Sequence, residues 1–328
     1  MDAYGQDPRL QPTPDYGNLG PESDLQPSPP TGPQLGRLRA LAAAIVGILM
    51  ALVLVAANSG VARAAWEQLS QLLTLQGKPE PASPAVMSEH ELERLDRQGP
   101  QKQAELLLER AVNHYDGAND QIAARVDRWR GRLKLTSQLN SLITTALNSN
   151  DLRVRAAGIE VDLAALEIAK TPQSVDRLTQ QADASAQSER IWALWTLGLL
   201  GNRGVETERV AQVLIGHLHD SNQEVRHWAV EGLAYLGTNE TIEPLLQVFH
   251  DDPSPLVRER AACSLAQSGM LTQEQRWSVV PRFLDFAEDP SLDAQTHLWV
   301  FHALRDITGQ SLPNDAAAWR NWYSTSGK

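Results

Sequence analysis

Residues 225–237 read VRHWAVEGLAYLG, and two other stretches can be laid over them: 189–201, ERIWALWTLGLLG, and 257–269, VRERAACSLAQSG. The offsets are 36 and 32 residues. In each copy an Arg is followed after three residues by Ala, after four more by Leu and after four more by Gly. The sets are Arg190/Ala193/Leu197/Gly201, Arg226/Ala229/Leu233/Gly237 and Arg258/Ala261/Leu265/Gly269. Such spacings put Arg, Ala and Leu on one side of a helix, and the closing Gly is a stop signal. A second apolar-periodic helix follows each copy, over 205–219, 241–250 and 272–288. One helix pair cannot bury its own faces, so a unit recurring this way predicts stacked pairs around a shared core.

The pattern Val-Arg-x-x-Ala-x-x-x-Leu-x-x-x-Gly, preceded by Asp-containing turns at 150–151, 220–222, 251–254 and 289–291, resembles HEAT repeats. It is most similar to the short bacterial type related to the phycobilisome-lyase HEAT family. Weaker copies at Val154-Arg155 and over 295–309 extend the similarity to residues 150–310. The resemblance implies an all-α, right-handed α-α superhelix, a HEAT/armadillo-like solenoid. It further implies that each repeat Arg meets an Asp of a neighbouring turn, with Arg226 and Arg258 as donors and Asp220 and Asp252 as acceptors. By the same resemblance the second helices line a concave surface, where Gln212, Gln247 and Arg282 stand as partner-binding residues.

Outside the repeats the composition changes sharply. Residues 1–36 hold eight prolines and little to bury, which predicts a disordered tail. Residues 40–57, ALAAAIVGILMALVLVAA, contain no charged or polar side chain. At 1.5 Å per residue that run spans about 27 Å, enough to cross a bilayer, so 37–59 is expected as an uncleaved transmembrane helix. Arg37 and Arg39 on the near side against Arg63 on the far side place the amino terminus in the cytoplasm and the repeats in the periplasm. Ala43, Gly47 and Ala51 form a small-residue stripe that would support a homodimer of such helices in the inner membrane. Residues 60–87 follow as a short helix and Pro-rich linker, 88–149 as a helical cap before the repeats, and 311–328 as a carboxyl-terminal capping helix. Trp319 and Trp322, on one face of that helix, are expected as a lid over the last repeat.

A net charge of −11 argues against a nucleic-acid partner, which needs a basic face. The single cysteine, Cys263, permits no disulfide within the chain and is expected as a buried space-filler. HEAT-fold hydroxylases hold two irons with His-Glu pairs in several repeats, yet the one His-Glu here, His90-Glu91, lies outside the repeats. His217 and His219, two apart on a helix, diverge and make a poor chelate. Gly-rich phosphate loops and nucleophile motifs are lacking, so no catalytic residue, metal or cofactor is expected. One basic cluster, Arg125, Arg128, Arg130, Arg132 and Lys134, breaks the acidic balance. The resulting expectation is a membrane-anchored, non-catalytic scaffold binding a protein or peptide. The alternatives are a HEAT-fold enzyme with an unrecognised site and a purely structural envelope spacer.

Overall fold

Side-chain caps start most of the helices that matter here. Asp151 accepts from the N–H of Arg153, Asn222 from those of Glu224 and Val225, and Asp293 from that of Thr296. Thr272 and Gln275 form a reciprocal capping box. Each cap satisfies backbone donors that a helix start leaves open. The acidic turns visible in the sequence are therefore helix starts.

The computed structural model describes residues 85–326. The tail (1–36), the apolar span (37–59) and residues 60–84 lie outside the described residues. The described helices are α1 (Glu89–Asp96), α2 (Pro100–Val112), α3 (Ala118–Ala123), α4 (Val126–Trp129), α5 (Ser137–Leu147), α6 (Leu152–Ala165), α7 (Pro172–Ala182) and α8 (Gln187–Asn202). They continue with α9 (Thr207–Gly216), α10 (Gln223–Leu236), α11 (Ile242–Asp251), α12 (Pro255–Ala266), α13 (Gln273–Glu288), α14 (Ala294–Thr308) and α15 (Ala316–Thr325). Two 3-10 turns, His217–His219 and Asn239–Thr241, lie among them. The β structure among the described residues is an isolated bridge between Val86 and Asp116. Among those residues no helix is long and apolar enough to cross a membrane.

The helices pack as hairpins α5/α6, α7/α8, α9/α10, α11/α12 and α13/α14. The sequence suggested units that begin with the Arg-bearing helix; the structure pairs that helix with the one before it. The Arg explains why. Arg226 Nη1 donates to the Asp220 carbonyl and Arg258 Nη1 to the Asp252 carbonyl, each at 2.9 Å. Each guanidinium thus ties its helix back to the turn that precedes it.

The Arg-bearing helices α8, α10 and α12, with α14 after them, pack side by side, while α7, α9, α11 and α13 form a more widely spaced row. The tighter row is the inner one in any curved stack. At its closest, a Cβ built on Gly198 of α8 would lie 2.4 Å from the Gly232 carbonyl of α10. Gln212, Gln247 and Arg282 sit on α9, α11 and α13, so they belong to the outer row and not to the concave side. Leu197, Leu233 and Leu265 lie in the hydrophobic core and are 0% exposed, each contributing about 2 kcal/mol by burial.

The terminal glycines of the three copies do different jobs. Gly237 ends α10 with φ 67°, a left-handed cap that favours glycine. Gly201 does not end its helix, because α8 continues to Asn202. It makes room instead for Leu236 and Val210, either of which a Cβ would strike within 3 Å.

The α5/α6 hairpin departs from the row. The Tyr235 hydroxyl of α10 donates to the Leu147 carbonyl at 3.2 Å. Arg155 of α6 donates to the carbonyls of Gln267, at 3.0 Å, and Gly269. On α10, Tyr235 points away from the side that carries Arg226, Ala229 and Leu233. The hairpin therefore reaches the inner face of α10 and the end of α12. The sequence boundary at 149/150 cuts between its two helices, and the Val154-Arg155 copy does not stack in series with the others.

At the carboxyl end Asp315 caps α15 through the Ala318 N–H at 2.9 Å. The neighbouring Asn314 accepts from Arg305. Trp319 is fully buried and meets Trp322 edge-on, and Trp322 packs against Trp277 of α13. The lid thus covers the outer helix of the last hairpin.

Candidate functional site

The inner ends of α9 and α11 meet over an ion pair. Arg226 Nε donates to Asp252 Oδ2 at 2.8 Å and Nη2 to Oδ1 at 3.1 Å, a two-pronged match of guanidinium and carboxylate. The Asp252 carboxylate also accepts the Ser254 N–H at 2.8 Å. With side chains 10% and 3% exposed, the pair is shielded from water on nearly every side. Its neighbours repeat the scheme: Arg190 pairs with the Asp220 carboxylate, and Arg258 Nη2 donates to Asp293 Oδ2 at 2.7 Å.

Each rung therefore runs from a repeat Arg to the turn between the two helices of the next hairpin, while Arg226 and Arg258 also hold a carbonyl of the turn before their own helix. Asp220 offers its carbonyl, not its carboxylate, to Arg226, and Asp252 likewise offers its carbonyl to Arg258. Asp293 is the acceptor that sequence reading missed. Its signal was the spacing Asp293-x-x-Thr296, a helix cap two residues beyond a turn already noticed.

Above the Arg226–Asp252 pair lies a cleft of about 310 Å³ between the second and third repeat hairpins. Ile215, Leu218, Pro244 and Val248 give it apolar walls. Exposed His219, Gln247, Asp251 and Pro253 form its rim. The structure thus brings Gln247, Asp220, Arg226 and Asp252 to one place. Gln212 is exposed on α9 outside the cleft. Arg282 stands on α13, 3.5 Å from Glu243 and over the Phe286 ring at 5.7 Å. These three outer-row residues do not converge on a single site.

The inner row carries a second polar group. Arg260 Nη2 donates to Glu231 at 2.6 Å, and His227 Nε2 lies 3.9 Å from the same carboxylate. Burial keeps the His227 imidazole below its ordinary value and pushes the Tyr235 hydroxyl and the Cys263 thiol up. A thiol held protonated is a poor nucleophile, and Glu231 is committed to Arg260. Cys263 is half-buried, more open than a space-filler in a closed core. Among the described residues no three His, Cys, Asp or Glu side chains form a group able to hold a metal ion.

The family model described as HEAT repeats matches residues 175–266. The matched span runs from α7 to the end of α12, three hairpins each led by its outer helix, and it contains the cleft. No curated protein matches the sequence. Among solved structures, an engineered protein shares 16% identity and a TM-score of 0.31 over 63% of this chain and 90% of its own. A designed armadillo repeat protein in complex with the peptide (KR)4 shares 14% identity and a TM-score of 0.30 over 63% of this chain and 100% of its own. Computationally designed armadillo repeat proteins for modular peptide recognition share 14% identity and a TM-score of 0.30 over 64% of this chain and 99% of theirs. Superpositions this loose carry no argument about the HEAT hairpins or their ligands.

Proposed function

We propose that the chain is a non-catalytic, membrane-tethered scaffold that holds an extended segment of another protein in the cleft between α9 and α11. The observation that carries this reading is the cleft itself, with apolar walls, an exposed Gln247 and a floor locked by the Arg226–Asp252 pair. A rigid floor costs a ligand little ordering entropy. The occupant is a peptide placing an apolar side chain against Ile215 and Val248 and a basic one beside Asp251. The acidic chain, at −11 overall, favours such a basic segment at longer range. The inner face is a poorer choice for the partner, because α5/α6 reaches it at Tyr235 and Gly269. The tether is the apolar run 40–57, with the amino terminus in the cytoplasm and the hairpins across the membrane.

The test is a photo-crosslinking amino acid at position 247 of the full chain in its native membrane, with position 109 on α2 as the control. One partner captured at 247 and not at 109, and lost when Val248→Arg fills the cleft, is the expected result. Equal capture at both positions, or capture indifferent to Val248→Arg, ends the proposal.

A further inference from the structure

The chain is acidic overall, yet two segments, joined by a contact between residues 33 apart in sequence, form a basic surface on the helices that precede the repeats. The Gln101 side chain joins them. Its Nε2 donates to the Lys134 carbonyl at 3.2 Å, and its Oε1 accepts the Lys134 N–H at 2.8 Å. This reciprocal pair fastens the loop after α4 onto the start of α2. It brings Arg132 beside Arg97 and Lys102 around an open cleft of about 480 Å³. Arg128, Arg130 and Lys134 continue the same segment, and all six cations are exposed.

The nearby acids do little to cancel them. Asp96 is held by Arg125 at 2.8 Å, and Glu105 by Gln101 and Thr136. Glu93 approaches Arg97 only to 3.8 Å, between two largely exposed side chains, and Asp127 is exposed. Among the described residues the side chains of Lys102, Arg130, Arg132 and Lys134 make no ion pair. Four exposed cations with no ion-pair partner among the described residues, on a chain of net charge −11, are a local device, effective within about 8 Å of a surface at physiological salt.

We propose that this patch rests on the headgroups of anionic phospholipid. A flat array of phosphates suits it better than a buried ligand, since the cations are splayed on an open surface and no deep pocket gathers them. The patch begins some 40 residues beyond the apolar run 40–57, so the membrane is within reach of the linker. The inference rests on the tether proposed above only for that proximity. Docking there would turn a loose tether into a fixed orientation, with the HEAT hairpins held at a set distance from the bilayer.

The experiment places the full chain in nanodiscs of phosphatidylcholine alone or with phosphatidylglycerol, and follows acetylation of individual lysines by mass spectrometry. Lys170, paired with Glu160 of α6 at 2.7 Å, serves as the internal reference. Lys102 and Lys134 should react roughly fivefold more slowly on the anionic discs, the effect of about one surface cation each, and high salt should remove the difference. The double variant Arg130→Gln, Arg132→Gln keeps both reporter lysines and should weaken their protection. Equal rates on the two disc types, protection shared by Lys170, or protection unchanged in the double variant would each overturn the proposal. The tether fails separately, and visibly, if the chain does not remain with the neutral discs.

Discussion

Arg226 and Asp252 are joined by two hydrogen bonds, at 2.8 and 3.1 Å, across the boundary between adjacent hairpins. They occupy the middle rung of a three-rung ladder, flanked by Arg190–Asp220 and Arg258–Asp293. Asp252→Ala should cost about 3–5 kcal/mol, because it leaves a shielded guanidinium without its counter-charge. Arg226→Met combined with Asp252→Leu should recover much of that loss. Thermal melts of the two variants check this; a double variant no more stable than Asp252→Ala alone would contradict it.

Gly232 lies where α10 passes closest to α8. A Cβ there would sit 2.7 Å from the Leu194 carbonyl and 2.6 Å from a Leu214 methyl. Backbone cannot yield as a flexible side chain can, so Gly232→Ala should destabilise by about 1–3 kcal/mol. Gly216→Ala is the matched control. It has nothing within 4 Å and should be neutral or gain about 0.5–1 kcal/mol in a helix. Urea unfolding of both variants decides the point.

His250 bridges two hairpins, with Nδ1 2.5 Å from Asp251 and Nε2 3.0 Å from Asp289. The Asp251 carboxylate, and then Asp289, raise the imidazole above its ordinary 6.5. A raised folded value means that this contribution is complete below pH 6.5 and fades as pH climbs through the folded value. Asp289 runs the other way. Held down to about 2, chiefly by Ser291 and then by His250, its contribution is present above 3.8 and is lost as pH falls through about 2. The melting temperature should therefore fall from pH 6 to 8 in the native chain and fall less in His250→Gln.

Tyr235→Phe removes the bond to the Leu147 carbonyl and nothing else of size. It should cost about 1 kcal/mol and loosen α5/α6 while leaving the HEAT hairpins intact. Hydrogen exchange should quicken across residues 137–165 and stay unchanged across 223–236. Uniform quickening would show that the hairpin is an integral part of the row.

The capping helix offers a last check. Trp319 is fully buried, and its indole N–H donates to the Pro313 carbonyl at 2.9 Å. Trp319→Ala should cost about 3–5 kcal/mol and raise exchange first in α13, against which α15 packs. Faster exchange in α14 before α13 would put the lid elsewhere.

The candidate cleft was only partly legible beforehand. Gln247, Asp220, Arg226 and Asp252 could be picked out singly, but their convergence depends on which helices share a hairpin. Gln212 and Arg282 occupy equivalent outer-row positions and still lie outside the cleft, since equal helix phase does not give equal surroundings. The basic surface was visible as Arg125 to Lys134 alone. The contribution of Arg97 and Lys102 depends on Gln101, a residue with no sequence signature.

The chain's own spelling determined that helices would stack: Leu197, Leu233 and Leu265 recur at one phase, and a recurring apolar phase has nowhere to go but a shared interior. It also marked the helix starts, because Asp, Asn and Thr caps act within three residues of themselves. Tertiary structure alone decided which Asp each Arg takes, which helix row lies inside and where Arg155 ends. All three depend on the separation of segments 26 to 114 residues apart. A period read along the chain fixes which way a side chain faces, and carries no information about what stands opposite it.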